Sequence, residues 1–273
     1  KRLALALICT GGIAAADPQL IFSSSISITG AGGLSGLEIN SDGMSGLTVS
    51  DRGNLYSVVL TRTGGLLEGA TLAPWPRRTK IEGDVEGIAT LDDQSYLFSL
   101  EGPAKVLSLD AEDTLTVLPR HSDFDTYHSN RALESIAVDQ DGTIYVLPET
   151  VGSDGKGFPL YALIDGRWDR AAVIPKIGAF LAVGADFGPD NLLYLLERSL
   201  TPFGFRTRVR RFDLSKDGLA PETLLTTWPF THDNLEGISL WQDATGTTRV
   251  TMIADDNLRA LQRNEIVEYI LQE

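Results

Sequence analysis

"NLEGISLWQD", residues 234–243, sets Glu236 at the head of an apolar alternation that continues through Ile238 and Leu240. Alternation with a period of two marks a half-buried strand, and a strand beginning on a carboxylate needs a reason. The arrangement recurs in "DVEGIATLDD" (84–93) and "ALESIAVDQD" (132–141), with Glu86 and Glu134 in the equivalent place. A single acid at a strand start is surface charge. The same acid at a fixed interval is a position in a repeat architecture.

Aligning the strand starts adds Ser35 in "GLSGLEIN" and Asp186 in "VGADFGPD", with Val183 as the other candidate there. With Asp186 the separations are 51, 48, 52 and 50 residues, a period that means propeller blades. Each start is followed by a polar turn and a second apolar stretch: "YLFSLEG", "IYVLPET", "LLYLLERS" and "RVTMIADDN". Two further strands fit each unit, for example "KVLSLDAED" then "LTVLPR", so the blades are four-stranded. The unit that begins at Glu236 has chain for only three strands. The N-terminal "LIFSSSISI" (20–28) supplies its outer strand and closes the ring, removing open sheet edges. The fold expected is an all-β propeller of five blades; six would require one unit to be split.

Composition agrees with many turns: 27 Gly and 12 Pro in 273 residues, with 42% hydrophobic content. Residues 1–16, "KRLALALICTGGIAAA", combine a basic start, a short apolar stretch and a small-residue end, the pattern of a secretory signal cleaved near Asp17. Cys9, the one cysteine, falls inside it, so the mature domain, 17–273, carries no disulfide and is expected in the periplasm or secreted. With 23 Lys and Arg against 37 Asp and Glu, the net charge is −14, which disfavours nucleic acid and anionic membranes as partners and leaves room for cations.

In a propeller the first strand of each blade lines the central channel and the second returns to the same face. Glu86 and Glu101 are 15 residues apart, as are Glu134 and Glu149, the spacing of a hairpin that folds back on itself. Carboxylates converging in this way either take up protons or hold a cation. Glu86, Glu134, Glu149, Glu236 and Asp255 therefore form a candidate oxygen-only set suited to Ca²⁺, while three His in the whole chain disfavour zinc. The alternative is a structural ring in which these acids pair with Arg52, Arg131 and Arg198. The loops "HSDFDTYHSNRALE" (121–134) and "PFTHDNLE" (229–236) place His128 and His232, with Asn130 and Asn234, just ahead of the channel Glu. Glu134, Glu236, His128 and His232 are thus the candidate acid–base groups. Arg52, Arg131, Arg198, Asn130 and Asn234 are the candidate contacts to an anionic or ester oxygen. No G-x-S-x-G elbow, H-E-x-x-H pair or phosphate loop occurs.

"GLSGL…VSDRG", "DVEGIA…SLEG", "ALESIAVDQDGTIYVLPE", "ADFGPDNLLYLLER" and "NLEGISLW…IADDN" together resemble the phytase-like propeller family of exported bacterial proteins, described as having esterase-like activity of phytase. The resemblance implies an acidic, calcium-loaded face that hydrolyses a phosphate or carboxylate ester. It matches Glu86, Glu134 and Glu236 to the repeated E-G-[IL] acids, and Glu149, Glu197, Arg198, Asp255 and Asp256 to the second-strand ends. The D-D-P-A-I-W stretch of true propeller phytases is missing, which separates this chain from phytate hydrolysis in particular. Two functions follow: a metal-assisted hydrolase of a small ester or phosphoester, or a non-catalytic propeller that grips a ligand or protein partner over a structural acidic ring.

Overall fold

Strands that face a neighbouring blade on both sides read as continuous apolar runs, whereas outer strands alternate. In the computed structural model, which describes residues 17–77, 80–92, 94–127, 131–152, 155–216, 218–257 and 262–273, that contrast orders the chain. Strand β1 (Gln19–Ser27) is followed by β2 (Leu34–Ile39), β3 (Ser45–Ser50), β4 (Leu55–Thr63) and β5 (Leu66–Pro74), the first blade. Next come β6 (Val85–Asp92), β7 (Ser95–Leu100), β8 (Lys105–Leu109) and β9 (Leu115–Val117). The third blade is β10 (Leu133–Val138), β11 (Ile144–Pro148), β12 (Gly157–Ile164) and β13 (Arg167–Pro175). The fourth is β14 (Leu181–Phe187), β15 (Leu193–Thr201), β16 (Gly204–Phe212) and β17 (Glu222–Thr226). Strands β18 (Asn234–Gln242), β19 (Thr248–Asp255) and β20 (Glu265–Gln272) complete their sheet with β1, in the order β1-β20-β19-β18. All pairings are antiparallel, and β1 pairs with β20 from Gln19↔Gln272 to Ser27↔Glu265. The molecule is a five-bladed propeller.

Apolar packing falls into five interblade layers rather than one core. Between the fourth and fifth blades, Val183, Tyr194, Leu196 and Val209 meet Leu235, Ile238, Val250 and Met252. Between the fifth and first, Trp241, Ile253 and Ile266 meet Leu34, Leu37, Ile39 and Val58, so the ring closes through the same kind of contact that builds it. Buried ion clusters stiffen individual blades. Glu197 takes paired hydrogen bonds from Arg208 (2.6 and 2.9 Å) and from Arg210 (both 2.7 Å). Glu268 is held in the same way by Arg62 and, singly, by Arg249. Among the described residues no helix is long and apolar enough to cross a membrane; the one helical element is a 3-10 turn over Ser122–Thr126.

Candidate functional site at the axial mouth

Every inner strand carries a β-bulge near its start. The register with the second strand skips one residue in each blade: Ser35, Glu86, Glu134, Val183 and Glu236. A bulge adds a residue that has no partner across the ladder and re-aims its side chain. Here it turns the extra residue out of the alternation towards the axis, where Ser35, Glu86, Glu134 and Glu236 line a void of about 10 Å³, room for one water or one bare cation. Of the two candidates in the fourth blade, Val183 takes the bulge position and Asp186 does not. Asp186 lies three residues further along β14, where its carboxylate accepts from Leu240 N (2.6 Å) and Phe187 N (2.8 Å).

The residue after the bulge is glycine in four blades, Gly36, Gly87, Gly184 and Gly237, and Ser135 in the third. Close approach of the inner strands demands this. A Cβ on Gly184 would sit 2.4 Å from the Glu236 carbonyl oxygen, and one on Gly36 would sit 2.8 Å from Ile88 N. The glycines let the strands crowd the axis, and the crowding brings the acids together.

A second circle comes from the ends of the second strands, next to the bulges: Asp51, Glu101, Glu149, Arg198 and Asp255. The fourth blade, which lacks the inner acid, is also the blade that contributes a cation here. Arg198 donates through Nη1 to Glu236 Oε1 and to Asn234 Oδ1 (2.7 Å), and its Nη2 lies 3.6 Å from Glu149 Oε1. Asn234 Nδ2 also donates to Glu236 Oε1 (2.8 Å), so Arg198 and Asn234 clamp one oxygen of Glu236 between them. Arg131 leans on Glu149 from the rim, with Nε 3.8 Å from Oε2 and its side chain largely exposed.

One arginine cannot neutralise so many acids. Burial, then repulsion from Glu236 and Glu101, pushes Glu86 well above the usual carboxylate range. Burial does the same to Glu134, with Glu86 next, and Glu134 and Glu101 share a side-chain hydrogen bond. Glu236 is raised by burial against the opposing pull of Arg198. Asp255 reaches about 7 through burial, Glu236 and Asp51.

Asp84, Glu86 and Glu101 each place a carboxylate oxygen so that all three lie within 4.8 Å of one another. Beside them Asp51 Oδ1 is buried and makes no hydrogen bond, and the Gly33 backbone is so close that a Cβ there would fall 2.5 Å from it. Oxygen-only donors and an unsatisfied buried carboxylate oxygen fit a hard divalent cation.

Of the residues expected from sequence, Glu86, Glu134, Glu149, Glu236, Asp255, Arg198 and Asn234 gather at this mouth, and Arg131 stands at its rim. Arg52 does not join them: it is exposed in the turn after β3 and makes no ion pair with the ring acids among the described residues. Nor does His232, which is buried in the fifth blade, with Nε2 2.7 Å from Tyr269 Oη and its ring stacked on Phe22. The neighbouring Asp233 N–H is tied to Glu265 (2.8 Å), which turns the loop towards β20 and away from the axis. Burial lowers the His232 pKa. Glu197, matched by resemblance to the second-strand ends, points into its blade towards Arg208 and Arg210. His128 and Asn130 lie outside the described residues. Sequence reading missed Asp84, which the structure sets beside Glu86 and Glu101. Its signal was present: Asp84 and Asn234 stand two residues before Glu86 and Glu236, so "D-x-E-G" and "N-x-E-G" are one motif.

A search of curated proteins gives no match. Among solved structures, the chain is similar to a luciferin-regenerating enzyme (11% identity, 92% of this chain and 95% of that one, TM-score 0.53). It is also similar to a gluconolactonase from Xanthomonas campestris (14%, 88% and 72%, TM-score 0.49) and to regucalcin, a calcium-binding protein from Agrobacterium tumefaciens (10%, 87% and 90%, TM-score 0.48). At these identities the likeness is one of fold. The sequence model of the Phytase-like family, described as esterase-like activity of phytase, matches residues 29–258, which span all five inner strands and the whole axial mouth, and the chain belongs to that family.

Proposed function

We propose that the axial mouth is the active site of a calcium-assisted hydrolase acting on a small ester or phosphoester. The observation that carries this reading is the approach of Asp84, Glu86 and Glu101 within 4.8 Å, beside the unsatisfied Asp51 oxygen. These residues would hold the cation, with Glu134 adjacent through its hydrogen bond to Glu101. When bound, a divalent cation supplies positive charge to the ester oxygen and acidity to a water. The chain's own groups do the rest. Arg198 and Asn234 fix Glu236 by Oε1, leaving Oε2 to take a proton from a water in the void. Arg131, exposed at the rim, is placed to receive an anionic group as it enters.

The test is calorimetric titration of Ca²⁺ into the chelator-treated protein, followed by ester, lactone and phosphoester substrates with and without chelator. Binding together with chelator-sensitive turnover, both weakened in Glu86→Gln, is the expected result. Neither binding nor turnover in the native protein would overturn it.

One observation favours a second reading, a ligand-binding propeller without catalysis: Arg198 satisfies Glu236 and Glu149 from within the chain, as a structural ring would. Unchanged ligand binding in Glu236→Gln, with no turnover by either protein, would select it. Export is also proposed, on residues 1–16; N-terminal sequencing of the protein recovered from the periplasm or medium, expected to begin near Asp17, tests it.

A further inference from the structure

We propose that the ester taken at this face carries a flat apolar group, an aryl ring, which seats on a ledge of Leu200, Phe203, Trp228 and Phe230 beside Arg198. The inference rests on the hydrolytic reading above and names the substrate class for it.

These four side chains are the most exposed large hydrophobics described, at 72, 68, 82 and 72%, while no other exceeds 56%. Isolated exposed apolar residues are ordinary; four at one corner of one face mark a contact surface. Both segments that carry them belong to the site. Strand β15 runs on beyond Arg198 to Thr201 and turns back into β16 at Gly204, on the side of the molecule where the ring acids open. Alternation puts Leu200 on the same side of β15 as Arg198, about 7 Å further out. Trp228 and Phe230 lie in the connection from β17 to β18, which ends on Asn234 and Glu236.

The two segments meet. A Cβ on Gly204 would be 3.0 Å from the Phe230 ring, Arg206 Nε donates to Thr227 O (3.1 Å), and Thr207 N donates to Thr227 Oγ1 (2.9 Å). Phe230 has φ +63, a left-handed backbone that a bulky residue adopts only at a cost, and Thr231 Oγ1 closes the turn on Trp228 O (2.9 Å). The connection is therefore fastened while its two aromatic rings stand in solvent. A substrate whose polar end reaches Arg198 can lay its remainder over this ledge. An aryl ring matches it through stacking on Trp228 and through apolar contact with Leu200 and Phe203.

Two readouts test the ledge. Calorimetry in calcium compares benzylphosphonate with methylphosphonate, and kinetics compare benzyl acetate with ethyl acetate. Wild-type protein is expected to prefer the benzyl member by at least about tenfold, equivalent to about 1.4 kcal/mol. The double variant Trp228→Ala/Phe203→Ser, or Leu200→Ser if that variant does not fold, is expected to lose most of the preference. Equal treatment of benzyl and small probes by wild type in both readouts overturns the proposal. So does an undiminished preference in a folded variant. A wild-type dimer in solution that dissociates in the Trp228 variant would instead make the patch an interface between copies of the chain, and overturns it too. Preferential benzylphosphonate binding with no ester turned over would sink the hydrolytic reading while leaving the ledge in place, so the two failures are distinguishable.

Discussion

Arg198 of the fourth blade donates to Glu236 of the fifth, and it does so from the only blade whose bulge residue, Val183, carries no polar group. The blade that withholds an acid from the axis thus supplies the axis with its resident cation. Arg198 and a bound metal are alternative answers to the same excess of negative charge.

Arg198→Met is therefore expected to destabilise the calcium-free protein by about 3–5 kcal/mol, the range for removing one partner of a buried pair. Added calcium should recover more stability in the variant than in wild type. Thermal melts with and without chelator measure both effects. Equal calcium-induced shifts would show that Arg198 and the metal do not share the acids.

Glu86 belongs to the trio with Asp84 and Glu101, and burial and its neighbours already strain its ionised form. Glu86→Gln is expected to lower calcium affinity at least about tenfold while raising metal-free stability by about 1 kcal/mol, since it removes one repelling charge. Calorimetry and urea unfolding read the two signs independently.

Gly184 should tolerate no side chain. The atom 2.4 Å from its Cβ position is the backbone oxygen of Glu236, which cannot swing aside without moving β18. Gly184→Ala is expected to cost about 2–4 kcal/mol in urea unfolding and to reduce calcium affinity with it, because the same displacement disturbs Glu236.

Glu38 and Asp186 repel one another further along the axis. Burial, then Asp186, holds the Glu38 carboxyl well above its usual range, and burial raises Asp186 to about 7. Both groups bind protons more tightly folded than unfolded, so stability is highest below their unfolded pKa values near 4 and falls as pH rises towards 7. Glu38→Gln, which can still accept from Thr90 Oγ1, is expected to reduce that loss by about 1–2 kcal/mol between pH 5 and 8. Chelator-treated wild type and variant compared across this range provide the check.

The blade count and the convergence of Glu86, Glu134 and Glu236 were legible because period and alternation are properties of the chain alone. The fourth inner strand was ambiguous. "LAVGADFG" offers Asp186 by charge and Val183 by its following glycine, and packing at the axis selects the glycine. Arg198 was expected at the ring, but the outward turn of Glu197, offered by resemblance at the same strand end, was not legible, since neighbours on a strand face opposite sides and only the pairing register says which side is which. His232 failed as a site residue for a similar reason. Closeness in sequence to Glu236 says nothing of the direction a loop takes, and the Asp233–Glu265 hydrogen bond sends this one outward.

Because the outermost strand of the last sheet is the first of the described strands, Gln19 lies beside Gln272. The clasp joins strands from opposite ends of the domain, so the last sheet is complete only when β1 and β20 have both been brought to it. Losing either β1 or β20 would unlatch the last sheet instead of trimming a tail.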